Sequence, residues 1–204
     1  STLRSGKESA RRRDLRTQLA LENVLGHSLE PQGGITHDMQ RGLDLESDAV
    51  ARFSDQMGVL VRPCAWIQRD TMRAGVSPDG LLVGMGGSSD TLLEVKAPRA
   101  ANHLMALGLR QHSGLAAVPS RNRAQVTHAL YVSGFPALHF VSYCPLFPPA
   151  LHLYHALITR DSIEEEMAAY ALKLDIFLAE VAAEEQHIRA LSRNMSVTPH
   201  TEEN

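Results

Sequence analysis

The 204-residue chain carries 20 basic and 23 acidic side chains, a formal net charge of −3, and 44% apolar residues, a balance that suits one globular domain with a full core and no need of staples. No apolar run approaches the roughly 18 residues of a membrane span and no signal-peptide pattern opens the chain, so the expectation is a soluble, cytosolic protein. Two cysteines, Cys64 and Cys144, are too few for a zinc cage or a disulfide framework and read as free thiols.

The positive charge is uneven. Arg4, Lys7, Arg11, Arg12, Arg13 and Arg16 face only Glu8 and Asp14 in the first sixteen residues, six cations against two carboxylates or +4 locally. That is enough to meet phosphates if the segment faces a groove, and equally what a solvated helix face looks like. Residues 9–25 read as a helix with Leu15, Leu19 and Leu25 apolar and Gly26 placed to stop it. After a loop over 31–34, a second helix spans 36–57, closed by Gly58. Its apolar stripe is Met39, Leu43, Val50, Phe53 and Met57, and the position that completes the stripe is Glu46. A carboxylate on the buried side of a helix needs a cation or several donors. Either it points at a metal ion shared with other acids, or it forms a buried salt bridge with Arg41 or Arg73; Asp44 and Asp48 lie off the stripe and face solvent.

Strands follow over 59–61, 65–68, 74–77, 81–83 and 91–96, with 84–90 as a hairpin loop. Within them lie Ser77-Pro78-Asp79-Gly80 and Leu93-Glu94-Val95-Lys96. Because side chains alternate along a strand, Asp79, Glu94 and Lys96 can share one face of the hairpin, where one metal ion and one water would meet them. Either motif alone is weak: Glu-x-Lys arises by chance in a chain this long, and Pro-Asp-Gly is ordinary turn chemistry. The apolar flanks, Leu81 to Val83 and Leu92, Leu93 and Val95, make these buried strands in which an acid needs a partner.

Pro98 ends the last strand. A helix over 101–109, a loop over 114–123, a helix over 123–132 carrying Gln125, and strands over 138–143 and 151–159 complete an α/β domain with a central mixed sheet. The longest helix covers 162–191, opened by a capping box of Ser162 and Glu165. Its seam of Ile163, Met167, Tyr170, Leu174, Phe177, Val181, Ile188 and Leu191, broken at Glu184, either joins subunits or packs on the chain's own sheet. Residues 1–191 thus form one domain and the polar residues 192–204 a disordered tail. Histidines do not build a zinc site: His152 and His155 fall on opposite faces of a strand, and His103, His112 and His128 sit on separate elements.

Taken in order, Arg41-Gly42 with Glu46, Ser77-Pro78-Asp79-Gly80-Leu81, Leu93-Glu94-Val95-Lys96-Ala97-Pro98, Gln125 and Phe140-Val141-Ser142-Tyr143-Cys144-Pro145 resemble the lambda-exonuclease or YqaJ-type alkaline exonucleases of phage recombination systems, within the PD-(D/E)xK nuclease superfamily. The resemblance runs from about Arg4 to Leu191 and implies a restriction-endonuclease-like core. It implies that Asp79, Glu94 and the Val95 carbonyl ligate Mg²⁺, with Mn²⁺ as substitute, that Glu46 completes or supports a second metal position, that Lys96 readies the attacking water and that Gln125 holds that water or the lysine. It also implies 5′-to-3′ digestion of linear duplex DNA from its ends, as a ring-shaped trimer, leaving 3′ strands for a single-strand annealing recombinase in a bacterial host. Arg99, Arg4, Lys7 and Arg12 are the candidates for phosphate contacts, with ordinary surface side chains as the equal alternative. The chain departs from the family pattern at Ala97, usually Cys, at Asn122, usually aromatic, and at Thr127, usually Gln. The Gly-x-Ile/Val-Thr-Ala-Ser segment that helps bind the 5′ phosphate in relatives has no counterpart here, which leaves that pocket in question. An endonuclease with the same site, and a non-catalytic DNA-end-binding protein of nuclease fold, are the competing readings.

Overall fold

A computed structural model describes residues 8–29, 34, 36–68, 73–84 and 89–195. The chain divides into two compact units, Ile35–Ala171 and the pair of segments Ser1–Gly34 and Leu172–Asn204. Arg4 and Lys7 lie outside the described residues, as do 196–204 of the expected tail.

In the larger unit the expected mixed sheet is present. Its strands are β1 (Leu60–Arg62), β4 (Gly80–Val83), β5 (Ser89–Lys96), β6 (Ala137–Tyr143) and β7 (Leu153–Thr159), hydrogen-bonded in that order. All neighbours are antiparallel except β5 and β6, which run parallel. A parallel pair needs a crossover, here made by α3 (Ala100–Leu107) and α4 (Ser120–Ser133). Period-two alternation sends Leu81, Leu92, Leu138 and Phe140 to one face, where they pack with Val126, Ala129 and Leu130 of α4. Leu82, Leu93, Val95, Val141 and Tyr143 go to the other, under Ala49 and Phe53 of α2 (His37–Met57).

Helix α2 forms where expected, capped by the Thr36 hydroxyl and ended by Gly58 at φ 64°, but its buried face is not the expected stripe. Leu45, Ala49 and Phe53, four residues apart, face the sheet, whereas Met39 and Leu43 stand 59% and 60% exposed. Glu46 therefore borders the buried face rather than completing it.

A separate hairpin of β2 (Ile67–Gln68) and β3 (Gly75–Val76) leads into the Pro78–Asp79 turn. The Trp66 ring lies on Gly75, where an added Cβ would sit 2.0 Å from the indole. The Ser77 hydroxyl donates to the Ala65 carbonyl, closing the base of this hairpin. Gly80 is held to a bare backbone by β1, since a Cβ there would meet Val61 at 2.5 Å.

The last helix, α5 (Glu164–Met195), runs four residues past its expected end. Its entry is not the capping box: a short 3₁₀ turn at Asp161–Ile163 precedes it, and the Thr159 hydroxyl accepts from the Ser162 N–H while the Ser162 hydroxyl donates to the Thr159 carbonyl. The seam packs within the chain at Ile163 and Met167, both in the sheet core.

In the smaller unit, α1 (Ala10–Leu25) ends at Gly26 as expected, and Ser9 caps its start. Arg12 stacks 5.0 Å from the Phe177 ring and pairs with Glu180 at 2.6 Å and with Glu8, while Arg16 pairs with Glu184 at 2.7 Å. Glu184, the residue that breaks the seam, is thus the acceptor for α1. These links lower the Glu180 and Glu184 carboxyls from their ordinary range, through Arg12 and through Thr17 and Arg16 respectively.

Beneath α2, His139 is buried between Phe53 and His155, with ring centroids 5.2 and 5.9 Å away, and among the described residues its Nδ1 has no partner. Burial first, then the His155 imidazole, push it from 6.5 down to about 4. The folded protein holds this ring neutral while the unfolded chain protonates it below 6.5. Its stabilising effect is therefore complete above pH 6.5 and is lost as pH falls toward 4, up to about 3 kcal/mol. The variant His139→Leu is expected to lose less Tm between pH 7.5 and 5 than the parent, measured by thermal unfolding at both.

Candidate metal-binding and nuclease site

Register and alternation gather the site. Gly80 pairs with Leu93, so the next pair outward sets Asp79 opposite Glu94. Two hydrogen bonds fix Asp79 there: its N–H donates to the Leu93 carbonyl at 3.0 Å and its Oδ2 accepts from the Val95 N–H at 2.6 Å. Glu94 and Lys96 share the face of Leu92, toward α4. Glu94 is 2% exposed, and its Oε1 accepts from the Lys96 ammonium and, at 2.6 Å, from Gln125 Nε2 of α4.

Beside these residues lies a cleft of about 590 Å³ whose walls include Glu46, Asp79, Val95, Lys96 and Arg99. Glu46 enters it from α2, on the opposite face of the sheet. Glu94 is not in the wall; it lies under Lys96, reached through that side chain. The alternative of a Glu46 salt bridge does not hold, for Arg41 donates instead to the Pro98 carbonyl at 3.0 Å, and Glu46 has no hydrogen-bond or ion-pair partner among the described residues.

All three carboxyls are raised above their ordinary values. Burial is the main cause at each. The Lys96 ammonium opposes it throughout, Asp79 adds repulsion at Glu46 and Glu94, and Glu94 reaches about 7. Asp79 thus couples electrostatically to both other acids, and Lys96 alone does not offset the burial. Three acid side chains and a backbone carbonyl are hard oxygen donors, and this set fits a hard divalent cation such as Mg²⁺ or Mn²⁺ rather than zinc. It is not a ready-made cage: among the described residues no three His, Cys, Asp or Glu side chains cluster as metal ligands, and one oxygen each of Asp79 and Glu94 already accepts from an N–H donor. The same holds for the histidines, and His152 precedes β7 rather than sharing a strand with His155.

Of the expected phosphate contacts, Arg99 stands in the cleft wall, exposed and paired with Asp38 at 2.7 Å. Arg12 is engaged within the smaller unit by Glu8, Glu180 and Phe177. The cleft wall also holds Asn122, where the family usually has an aromatic residue, and Asn102 and Arg121, which sequence reasoning passed over. Arg121 fell inside the expected loop over 114–123, whereas α4 begins at Ser120 directly after Pro119. A proline just before a helical run was the signal available.

A mixed five-stranded sheet with a crossover, an acid pair of buried Glu94 and half-buried Asp79 across the β4–β5 hairpin and a lysine beside them define a protein of the alkaline-exonuclease fold. The YqaJ-like viral recombinase domain matches residues 8–136, and the chain belongs to that family. Among solved structures, the alkaline exonuclease LHK-Exo from Laribacter hongkongensis superposes with a TM-score of 0.75 at 25% identity, over 93% of this chain and 89% of that one. Its complex with dAMP gives 0.72 at 25% identity, over 92% and 88%. A phage-related exonuclease from Haemophilus somnus 129PT shares the fold at 0.57 and 12% identity, over 94% and 86%. No curated protein sequence matches the chain.

The buried Glu94 has a stability consequence. Its carboxyl titrates at about 7 folded against 4.5 in the free side chain, so its charged form opposes folding: the metal-free protein is most stable below pH 4.5 with respect to this group and loses about 3 kcal/mol as pH rises through 7. Glu94→Gln is expected to raise the metal-free Tm at pH 8 and to show no Tm increase with Mn²⁺, where the parent is expected to show one. Scanning calorimetry with and without Mn²⁺ checks both.

Proposed function

We propose that the chain is a Mg²⁺-dependent exonuclease, Mn²⁺ substituting, that digests linear double-stranded DNA from its 5′ ends and leaves 3′ single strands for an annealing recombinase in phage-type homologous recombination. It acts as a ring-shaped homotrimer in the cytoplasm of a bacterial host. The observation that carries this reading is the meeting of Glu46, Asp79, Val95 and Lys96 in one cleft, with Glu94 held under Lys96. Membership of the YqaJ-like family and the likeness to LHK-Exo, an alkaline exonuclease also solved with dAMP, support it. A deoxynucleoside monophosphate is what hydrolysis one nucleotide at a time releases.

Asp79, Glu94, the Val95 carbonyl and Glu46 are the groups that would hold the cation, which when bound polarises the phosphoryl oxygens and makes its water more acidic. Lys96 orients the attacking water, and its ammonium favours the hydroxide that develops there. Gln125 holds Glu94 in place at 2.6 Å, so that the acid under the lysine does not rotate away. Arg99 and Arg121 in the cleft wall receive backbone phosphates of the strand being cut. A closed ring keeps a chain of mild negative charge on its DNA, since only the inner wall need be basic. The carboxyls must be ionised to hold a cation, and all three are raised, Glu94 to about 7; activity accordingly rises across neutral pH into the alkaline range. No described helix is long and apolar enough to cross a membrane.

The test is incubation with 5′-phosphorylated linear duplex and with closed circular DNA, in Mg²⁺ and in EDTA. Linear DNA is expected to be consumed from its 5′ ends only in Mg²⁺, with circles untouched, and Asp79→Ala to lose roughly 10³-fold in rate with an unchanged circular-dichroism spectrum. Cut circles assign an endonuclease; end binding without cleavage assigns a non-catalytic end-binding protein.

A further inference from the structure

We infer that Arg41 is a positioning residue for the metal-holding groups: its guanidinium ties the first half of α2, which carries Glu46, to the ends of the two central strands. The inference rests on the nuclease reading of the cleft and adds the device that fixes Glu46 against Asp79 and Lys96.

Arg41 Nη2 donates to the Pro98 carbonyl at 3.0 Å and lies 3.7 Å from Cys144 Sγ. Pro98 is two residues beyond Lys96, and Cys144 is the residue after β6. Lys96 and Ser142 are register partners in the parallel pair, so Pro98 and Cys144 continue neighbouring strands. One guanidinium therefore spans both. Along α2 it sits five residues before Glu46, about 7.5 Å in rise and roughly 140° around the axis. Arg41 thus turns to the strand ends while Glu46 turns to the cleft.

The rest of α2 shows why a tether is needed there. Ala49 and Phe53 are the buried residues of α2, both beyond Glu46, and Leu45 packs beside them. Before Glu46, Met39 and Leu43 stand exposed in the cleft wall. Nearer the start of α2, Asp38 pairs with Arg99, beyond the end of β5, and this pair is exposed at both ends and so weak.

Stability alone does not account for an arginine. Its Nε is buried without an acceptor, and no carboxylate pairs with it among the described residues. A guanidinium placed on a neutral carbonyl and a thiol is a costly way to fill space, and an apolar side chain of similar length serves the fold as well or better. What arginine adds is direction: a planar donor aimed at a fixed oxygen.

The experiment compares the full chain with Arg41→Met, Arg41→Lys, Glu46→Gln and the double variant Arg41→Met/Glu46→Gln. It reads metal-free Tm, Mn²⁺ affinity by isothermal titration, and the Mg²⁺ and DNA dependence of linear-duplex digestion. Arg41→Met is expected to keep or raise the metal-free Tm, to weaken Mn²⁺ binding and raise the half-saturating Mg²⁺ roughly 10-fold, and to leave KM for DNA unchanged. Arg41→Lys falls between. In the Glu46→Gln background the Arg41→Met effect on Mn²⁺ disappears, because the group being positioned is gone. Mn²⁺ affinity within twofold of the parent in Arg41→Met, or in Arg41→Lys should the former not fold, overturns the inference. So does an Arg41→Met penalty that persists undiminished without the Glu46 carboxylate. A parent protein that neither binds Mn²⁺ nor cuts DNA refutes the nuclease reading itself, whereas a parent that does both beside an indifferent Arg41→Met refutes this inference alone.

Discussion

A carboxylate 2% exposed in the middle strand of a sheet is the constraint from which the rest of this structure follows. Glu94 sits two residues after Leu92 and on the same face, among side chains that offer no solvation. It is tolerated because Lys96 and Gln125 bring N–H donors to one oxygen, and because folding leaves it largely able to hold a proton near neutrality. The parallel pairing of β5 with β6, and the crossover that this pairing demands, deliver α4 and hence Gln125 to that point. Asp79 arrives by a separate route, the register of an antiparallel hairpin. Two kinds of strand pairing on either side of β5 thus converge on one acid pair.

The arrangement is poor for stability, and that is informative. Three raised carboxyls, one ammonium and an arginine with a buried, unsatisfied nitrogen stand near one cleft, while the apolar packing lies elsewhere, on Phe53, Leu93, Phe140 and their neighbours. Misfits between local preference and the global fold gather where chemistry is done. A divalent cation held there, as proposed, would offset most of this misfit at once, since it would balance the negative charge that burial disfavours.

Much of this was legible in the amino-acid sequence, for reasons that differ element by element. Asp79, Glu94 and Lys96 were readable because strand alternation is rigid, so a spacing of two fixes a face. The ends of α1 and α2 were readable because Gly26 and Gly58 act within one turn. The buried face of α2 was misjudged because Met39 and Leu43 count as apolar in any periodicity, and only the sheet's position reveals that Ala49 is the contact. The start of α5 was misjudged because Thr159 and Ser162 both suit a cap, and the short 3₁₀ turn between them selects the earlier one. The pairing of Arg12 and Arg16 with α5 joins residues some 168 positions apart, beyond the reach of local pattern, so a basic cluster that reads as a phosphate contact is already occupied in part.

The packing of Trp66 on Gly75 carries a practical consequence. It is the sole tryptophan in the chain, 60% exposed, and its indole N–H donates to Gln68 at 3.2 Å. The strand beneath it passes through Ser77 to Asp79 within four residues. Emission from this one fluorophore therefore samples the stretch of backbone that leads to Asp79, a built-in optical probe that needs no label.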